Sequence, residues 1–252
     1  MVYFGRHNRK KKKMIQPTSF DSWIPVIAIG LFALVHAGFQ LGVSVLTLLS
    51  GHSLGKSRSL QRTLGLNIAY IVGVVMMTGL LLSLCLFIWE YVYYWPAQAV
   101  LAGLATACVF LGLLVIVTYY RRGHGTSLWI PRSLADYLMQ RAKHTKNTVE
   151  SAVLGATTVV AELPFTIVVI AGSTYILQLF VGSRDLPNSI VLYSLAVAMP
   201  LMIVTILLAG GHPLSHIQRW RESNKVFLQS ASAYGLFVVA LFITVFYLGD
   251  FS

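Results

Sequence analysis

Acidic residues are scarce in this sequence: 8 Asp and Glu stand against 19 Lys and Arg, and charged residues make up 11% of the 252 positions. A soluble domain carries about a quarter charged residues, so an ordinary water-facing surface is excluded. Cysteine is limited to Cys85 and Cys108. Both fall inside apolar runs, form no CxxC, and suit packing rather than a disulfide framework. No glycine-rich phosphate loop is complete, so ATP is not the energy source in this chain. No HExxH occurs, and no nucleophile is paired with a base. Neither an enzyme nor a bound cofactor is expected.

Apolar length is abundant. Hydrophobic residues reach 56% and the mean hydropathy is +0.73. A helix needs roughly 20 apolar residues to cross the hydrocarbon core. Six stretches meet that need, at about 23–50, 64–89, 97–120, 148–180, 188–210 and 226–249. The expected fold class is therefore all-α, a polytopic membrane protein of six transmembrane helices. It forms one integral membrane domain over 1–252, with half one at 23–120, a connector at 121–147 and half two at 148–249. The net charge of +11 would suit nucleic acid, but the basic residues cluster at span ends, where lipid headgroups lie. The bilayer is the expected partner, and nucleic acid is not. Trp23, Trp89, Trp95 and the tyrosines at 91, 93, 94, 119 and 120 mark span ends as interfacial anchors do.

Loop charge sets orientation. The loops at 51–63, 121–147 and 211–225 carry Lys56, Arg58 and Arg62; Arg121, Arg122, Arg132, Arg141, Lys143 and Lys146; and Arg219, Arg221 and Lys225. The loops after spans two and four carry only Arg184. The first set is expected in the cytoplasm, which would put both termini outside. The basic tail "RHNRKKKK" opposes this, and two solutions are open. Either the loop bias carries the tail across, or residues 23–50 form a re-entrant pair hinged near Gly38. The tail also mimics a signal peptide with Val35-His36-Ala37 as its cleavage site, but the apolar run is too long for one. In the connector, Ser133 and Asp136 have capping-box spacing, and Leu134, Tyr137, Leu138 and Arg141 would share one face of a helix lying on the membrane. "NTVE" at 147–150 places Glu150 in an N-terminal cap.

The two halves are similar at one place. "HAGFQLGV" (36–43) aligns without gaps to "ELPFTIVV" (162–169), matching Phe39 to Phe165, Gln40 to Thr166 and His36 to Glu162. Gly38 falls opposite Pro164, so each segment carries a helix-weakening residue, and these are the expected helix breaks. Three spans per half enter the membrane from opposite sides, an inverted repeat of the kind secondary transporters use. With "GLFALVHAGFQLGVSVLTLLSG" and the fifth-span "LYSLAVAMPLMIVTIL", the chain resembles the superfamily of lysine exporters, small metal-ion exporters and DsbD/CcdA-type thiol carriers. That resemblance implies export of a small solute or cation from a prokaryotic plasma membrane. It departs from the thiol carriers in lacking their cysteines, and from the metal exporters in having His36 where an acid is usual.

Glu162 is the leading site candidate. An ionised carboxylate at bilayer depth costs at least ~2.5–3.5 kcal/mol, so it must face a cavity, bind a cation or be protonated. His36 and Gln40 lie one turn apart, and His36 could pair with Glu162. Asn67 and Thr166, with Ser44, Thr47, Thr157 and Thr158, could line a polar path or simply join helices. Two ligands are too few to name a metal. Gly38 and Gly42 read as close packing, and Pro164 and Pro200 as kinks or as sources of free carbonyls. The expected function is a secondary transporter or exporter, coupled to protons, with a midplane site between helices one and four. The solute side stays open among a small solute, a proton and a metal cation. The alternative is a non-transporting membrane subunit or assembly factor, and a homo-oligomer or a partner membrane subunit is open under either.

Overall fold

The computed structural model describes residues 23–39, 41–53, 59–92, 96–119, 132–180 and 185–248. Among them every regular element is helical and no strand occurs. The order is α1 (Trp23–Gly38), α2 (Leu41–Ser53), α3 (Ser59–Val92), α4 (Ala97–Tyr119), α5 (Arg132–His144), α6 (Thr148–Phe180), α7 (Leu186–Ala209), α8 (Leu214–Ser223) and α9 (Lys225–Ile243), then a π-helical turn (Thr244–Leu248).

Among the described residues four helices are long and apolar enough to cross a membrane, Leu60–Trp89, Ala97–Val117, Thr148–Gln178 and Leu186–Ala209, and the bent pair at the start would make a fifth span. Their apolar residues face outward as well as inward. Along α3, Ile68, Val72, Met76, Leu80 and Leu84 are exposed while Leu66, Tyr70, Val74 and Leu82 are buried. Exposed leucine at that density suits lipid and not water. The expected first span is not one helix. It is the bent pair α1 and α2, whose axes differ by 47°, with the break directly after Gly38. The last span is shorter than expected, its apolar part covering Ser230–Phe246.

The most extensive helix contact joins α3 to α6. Gly73 lies on the Ala152 carbonyl and Gly155 on the Tyr70 carbonyl, so closely that a Cβ at either glycine would fall on a backbone oxygen. Small residues let backbones meet in this way where lipid offers no hydrophobic drive. Trp89, expected as an interfacial anchor, donates from Nε1 to the Ala171 carbonyl and lies 3.0 Å from the Thr174 hydroxyl, so it ties α3 to α6. The side chains of the other expected anchors lie outside the described residues.

The α1–α2 pair runs antiparallel to α6. Phe32 lies against Gly172, Phe39 stacks on Phe165 with centroids 6.1 Å apart, and Gly42 meets Glu162. In addition α4 packs on α9, α7 on α3, and α1 on both α7 and α9. Gly38 admits α9 closely, since a Cβ there would lie 2.9 Å from the Ser232 hydroxyl. At the far end of α7, Gly211 takes φ +82°, a left-handed value that ends the helix, and the His212 N–H returns to the Leu207 carbonyl (3.1 Å).

Helices α5 and α8 both pack against α2, and Arg62 reaches the Lys146 carbonyl at 3.0 Å. The described parts of the three basic connections, α5, α8 and the start of α3, therefore gather around α2. The face expected on α5 is divided. Leu138 and Ala142 turn inward, whereas Tyr137 and Arg141 are exposed and bonded to each other (3.3 Å). Packing on α2 takes the apolar stripe that a surface helix would have given to lipid. Ahead of α6, the Val149 N–H donates to Asn147 Oδ1 at 3.4 Å, as an N-cap does, while Glu150 Oε2 accepts from the Lys146 N–H (3.4 Å), one residue before the amide a capping box would use.

Gly155→Ala and Gly73→Ala are expected to force α3 from α6 and cost about 1–3 kcal/mol. Gly103→Ala, where a Cβ meets open space, should leave the midpoint unchanged. Thermal unfolding of the purified variants in detergent checks both.

Candidate functional site at the broken helix

A helix that stops and restarts leaves amide groups without partners, and in hydrocarbon each one costs several kcal/mol. At the start of α2 the partner comes from α6. The Gly42 N–H donates to Glu162 Oε1 at 3.1 Å, and the Leu41 N–H also bonds to the carboxylate. Glu162 thus caps α2 from a helix 120 residues further along the chain. The first-turn amides of a helix together form a site for negative charge, so a carboxylate is well matched to this place. On the other side of the break, the Phe39 N–H closes back on the His36 carbonyl at 3.2 Å.

Two buried tyrosines extend the cluster. The Tyr70 hydroxyl on α3 lies 3.2 Å from the Gly42 carbonyl and 3.0 Å from Thr158 Oγ1. Tyr193 on α7 has its hydroxyl 3.2 Å from His36 Nδ1 and 3.0 Å from Ser173 Oγ. Each tyrosine therefore touches both the broken pair and α6. The Thr158 hydroxyl donates in turn to the Leu154 carbonyl (2.8 Å).

His36 and Glu162 line one partly open cavity of about 20 Å³, together with Thr158, Val197, Pro200 and Leu201. That volume holds about one water molecule. The two ionisable groups are brought together as lining, yet each is bonded elsewhere, His36 to Tyr193 and Glu162 to α2. Thr166 and Asn67, also expected at the site, are not among its lining residues. Thr166 bonds back to the Glu162 carbonyl at 3.1 Å. Asn67 meets the Ser50 hydroxyl at 3.1 Å, while its Nδ2 is buried without a partner. Gln40 lies outside the described residues. Gly38 does precede a break, but Pro164 does not make one: α6 runs unbroken from Thr148 to Phe180. Pro164 sits on the exposed side of α6. There it removes a single backbone bond, while packing on α3 along the rest of the helix keeps it continuous.

Among the described residues, no three His, Cys, Asp or Glu side chains come together as a metal ion would need. Cys85 and Cys108 are unpaired thiols. One catalytic pattern is present in letters: Gly51-His52-Ser53-Leu54-Gly55 spells GxSxG. A nucleophile elbow needs a strand-to-helix turn, and Ser53 instead ends α2. Tyr70, Tyr193 and Ser173 escaped the sequence reading. Their signal was a tyrosine in mid-span, in "NIAYIVG" and "IVLYSLA", far from any interfacial belt. Compared with protein-family models, with characterised proteins and with solved structures, the chain finds no match.

Tyr70→Phe should cost about 0.6 kcal/mol, and no more than ~1.7, the range of hydrogen bonds between membrane helices. Tyr137→Phe, on the exposed face of α5, should change nothing measurable. Parallel unfolding of both variants tests whether the buried hydroxyl joins the helices.

Proposed function

We propose that this protein is a secondary transporter or exporter of a small solute or cation, coupled to protons and working from the pocket at the α1–α2 break. One observation carries the reading: an ionisable carboxylate of α6 holds the open N-terminus of a half-helix and lines a cavity that His36 also lines. Broken helices, with freed amides facing a buried polar group, are the recurring device of secondary transport.

The arrangement in two inverted triplets belongs to the same proposal. In it, α1–α2, α3 and α4 correspond to α6, α7 and α9. Exchanging the two sets carries the observed helix pairs largely onto one another. Tyr70 and Tyr193 then play matching parts, and the aligned residues Phe39 and Phe165 meet at the crossing point. The 47° bend favours a broken span over a re-entrant pair, because a returning hairpin would turn much further. The gathering of α5, α8 and the start of α3 around α2 supports placing 51–63, 121–147 and 211–225 on one side, the cytoplasmic one by their charge, while a prokaryotic plasma membrane rests on the family resemblance. The likeness to lysine, metal-ion and thiol carriers rests on this arrangement and on the quoted segments alone.

A second reading, the non-transporting subunit or assembly factor, is favoured by the size of the cavity: about 20 Å³ holds no solute in this conformation. Flux separates the two. Wild type and Glu162→Gln are reconstituted into liposomes under a pH gradient, and proton movement is followed while divalent cations and amino acids are screened. Transport predicts that at least one solute moves protons in wild type, and that the variant loses this at least roughly tenfold. Protons that stay still with every solute would leave the subunit reading in place.

A further inference from the structure

We infer that the ligand of this pocket is a proton, held on Glu162 beside at most one water molecule, and that the solute enters only after protonation lets α2 part from α6. The inference rests on the transport reading and names its coupling ion. Volume is the first ground. A cavity of about 20 Å³ takes one water and excludes an amino acid or a hydrated cation. Any solute site must therefore be made by moving a wall.

The wall that Glu162 holds is the start of α2, whose later turns stay tied to α3 by the Ser50–Asn67 bond. Helix α2 has 13 residues, is cut from α1 at Phe39, and is held at its first turn by Glu162. A carboxylate there accepts from Leu41 and Gly42 and faces the positive end of the helix. A carboxylic acid keeps fewer lone pairs for those amides and has no charge to offer them. Adding one proton at a carboxylate oxygen thus weakens the contact that closes the pocket.

The surrounding groups leave this role to Glu162. From α1 comes His36, bonded through Nδ1 to Tyr193, so its titration leaves the α2 amides untouched. From α3 comes Tyr70, whose hydroxyl is engaged with Gly42 and Thr158. From α6 comes Thr158 beside Glu162 itself, and α7 contributes Val197, Pro200 and Leu201, none of which titrates.

Amide hydrogen exchange of the full chain in lipid nanodiscs tests this, read on a peptide over 36–46 so that the Leu41 and Gly42 amides are retained, and corrected for the intrinsic pH dependence of exchange. In wild type, protection should fall roughly tenfold or more between about pH 8 and about pH 5.5, the loss of a charge-assisted bond. Glu162→Gln should exchange fast at both values, Glu162→Asp should keep the pH response, and His36→Gln should keep it too. Equal protection of wild type at both pH values would overturn the inference, as would a response that survives in Glu162→Gln or vanishes in His36→Gln. If Glu162→Gln fails to fold, wild type and Glu162→Asp still decide. Gating without solute flux would sink the transport reading and spare the clamp, whereas flux without gating would do the reverse.

Discussion

A carboxylate on one helix closing the open end of another is the constraint on which the rest of this bundle depends. Breaking a membrane helix strands amides in hydrocarbon, and few side chains can serve two of them at once. Glu162 does so from 120 residues along the chain, joining the first apolar segment to the fourth. Once that contact is fixed, the neighbouring ones follow from it. Phe39 must lie over Phe165, Tyr70 must reach Gly42, and Gly38 must let α9 approach.

The two halves divide the work unevenly. Both were expected to break, at Gly38 and at Pro164. Only the first does, and the second supplies the group that makes the break tolerable. Helix α6 needs to be whole to do this, because a carboxylate positions two amides only if its own backbone is rigid. The close backbone seam with α3, through Gly73 and Gly155, gives α6 that rigidity. Proline at an outward-facing position costs it one bond and no more.

Much of the fold was legible in the sequence because apolar length and polar interruption are local signals. The helical class, the break beside Gly38 and the cap at Asn147 each follow from a few adjacent residues. The burial of Glu162 was legible too, since an acid in mid-span has few places to go. Its partner was not, because backbone amides carry no letter in the sequence. The expected mate was His36, the visible ionisable residue, when the bond goes to Gly42 and Leu41. The buried tyrosines were missed for a related reason. Tyrosine is common at membrane surfaces, and only its register, set by long-range packing, sends Tyr70 and Tyr193 inward. The face of α5 was misassigned because periodicity cannot say whether an apolar stripe will meet lipid or α2.

The cap on α2 also bears on how the chain is put together. Residues enter a membrane in order, and everything through α4 arrives before residue 162 exists there. Until then the start of α2 lacks the carboxylate that meets its first-turn amides in the finished bundle. The N-terminal half is thus an unfinished object, structurally dependent on a residue still to be made, and the halves are parts of one assembly step rather than two domains that meet after each has folded.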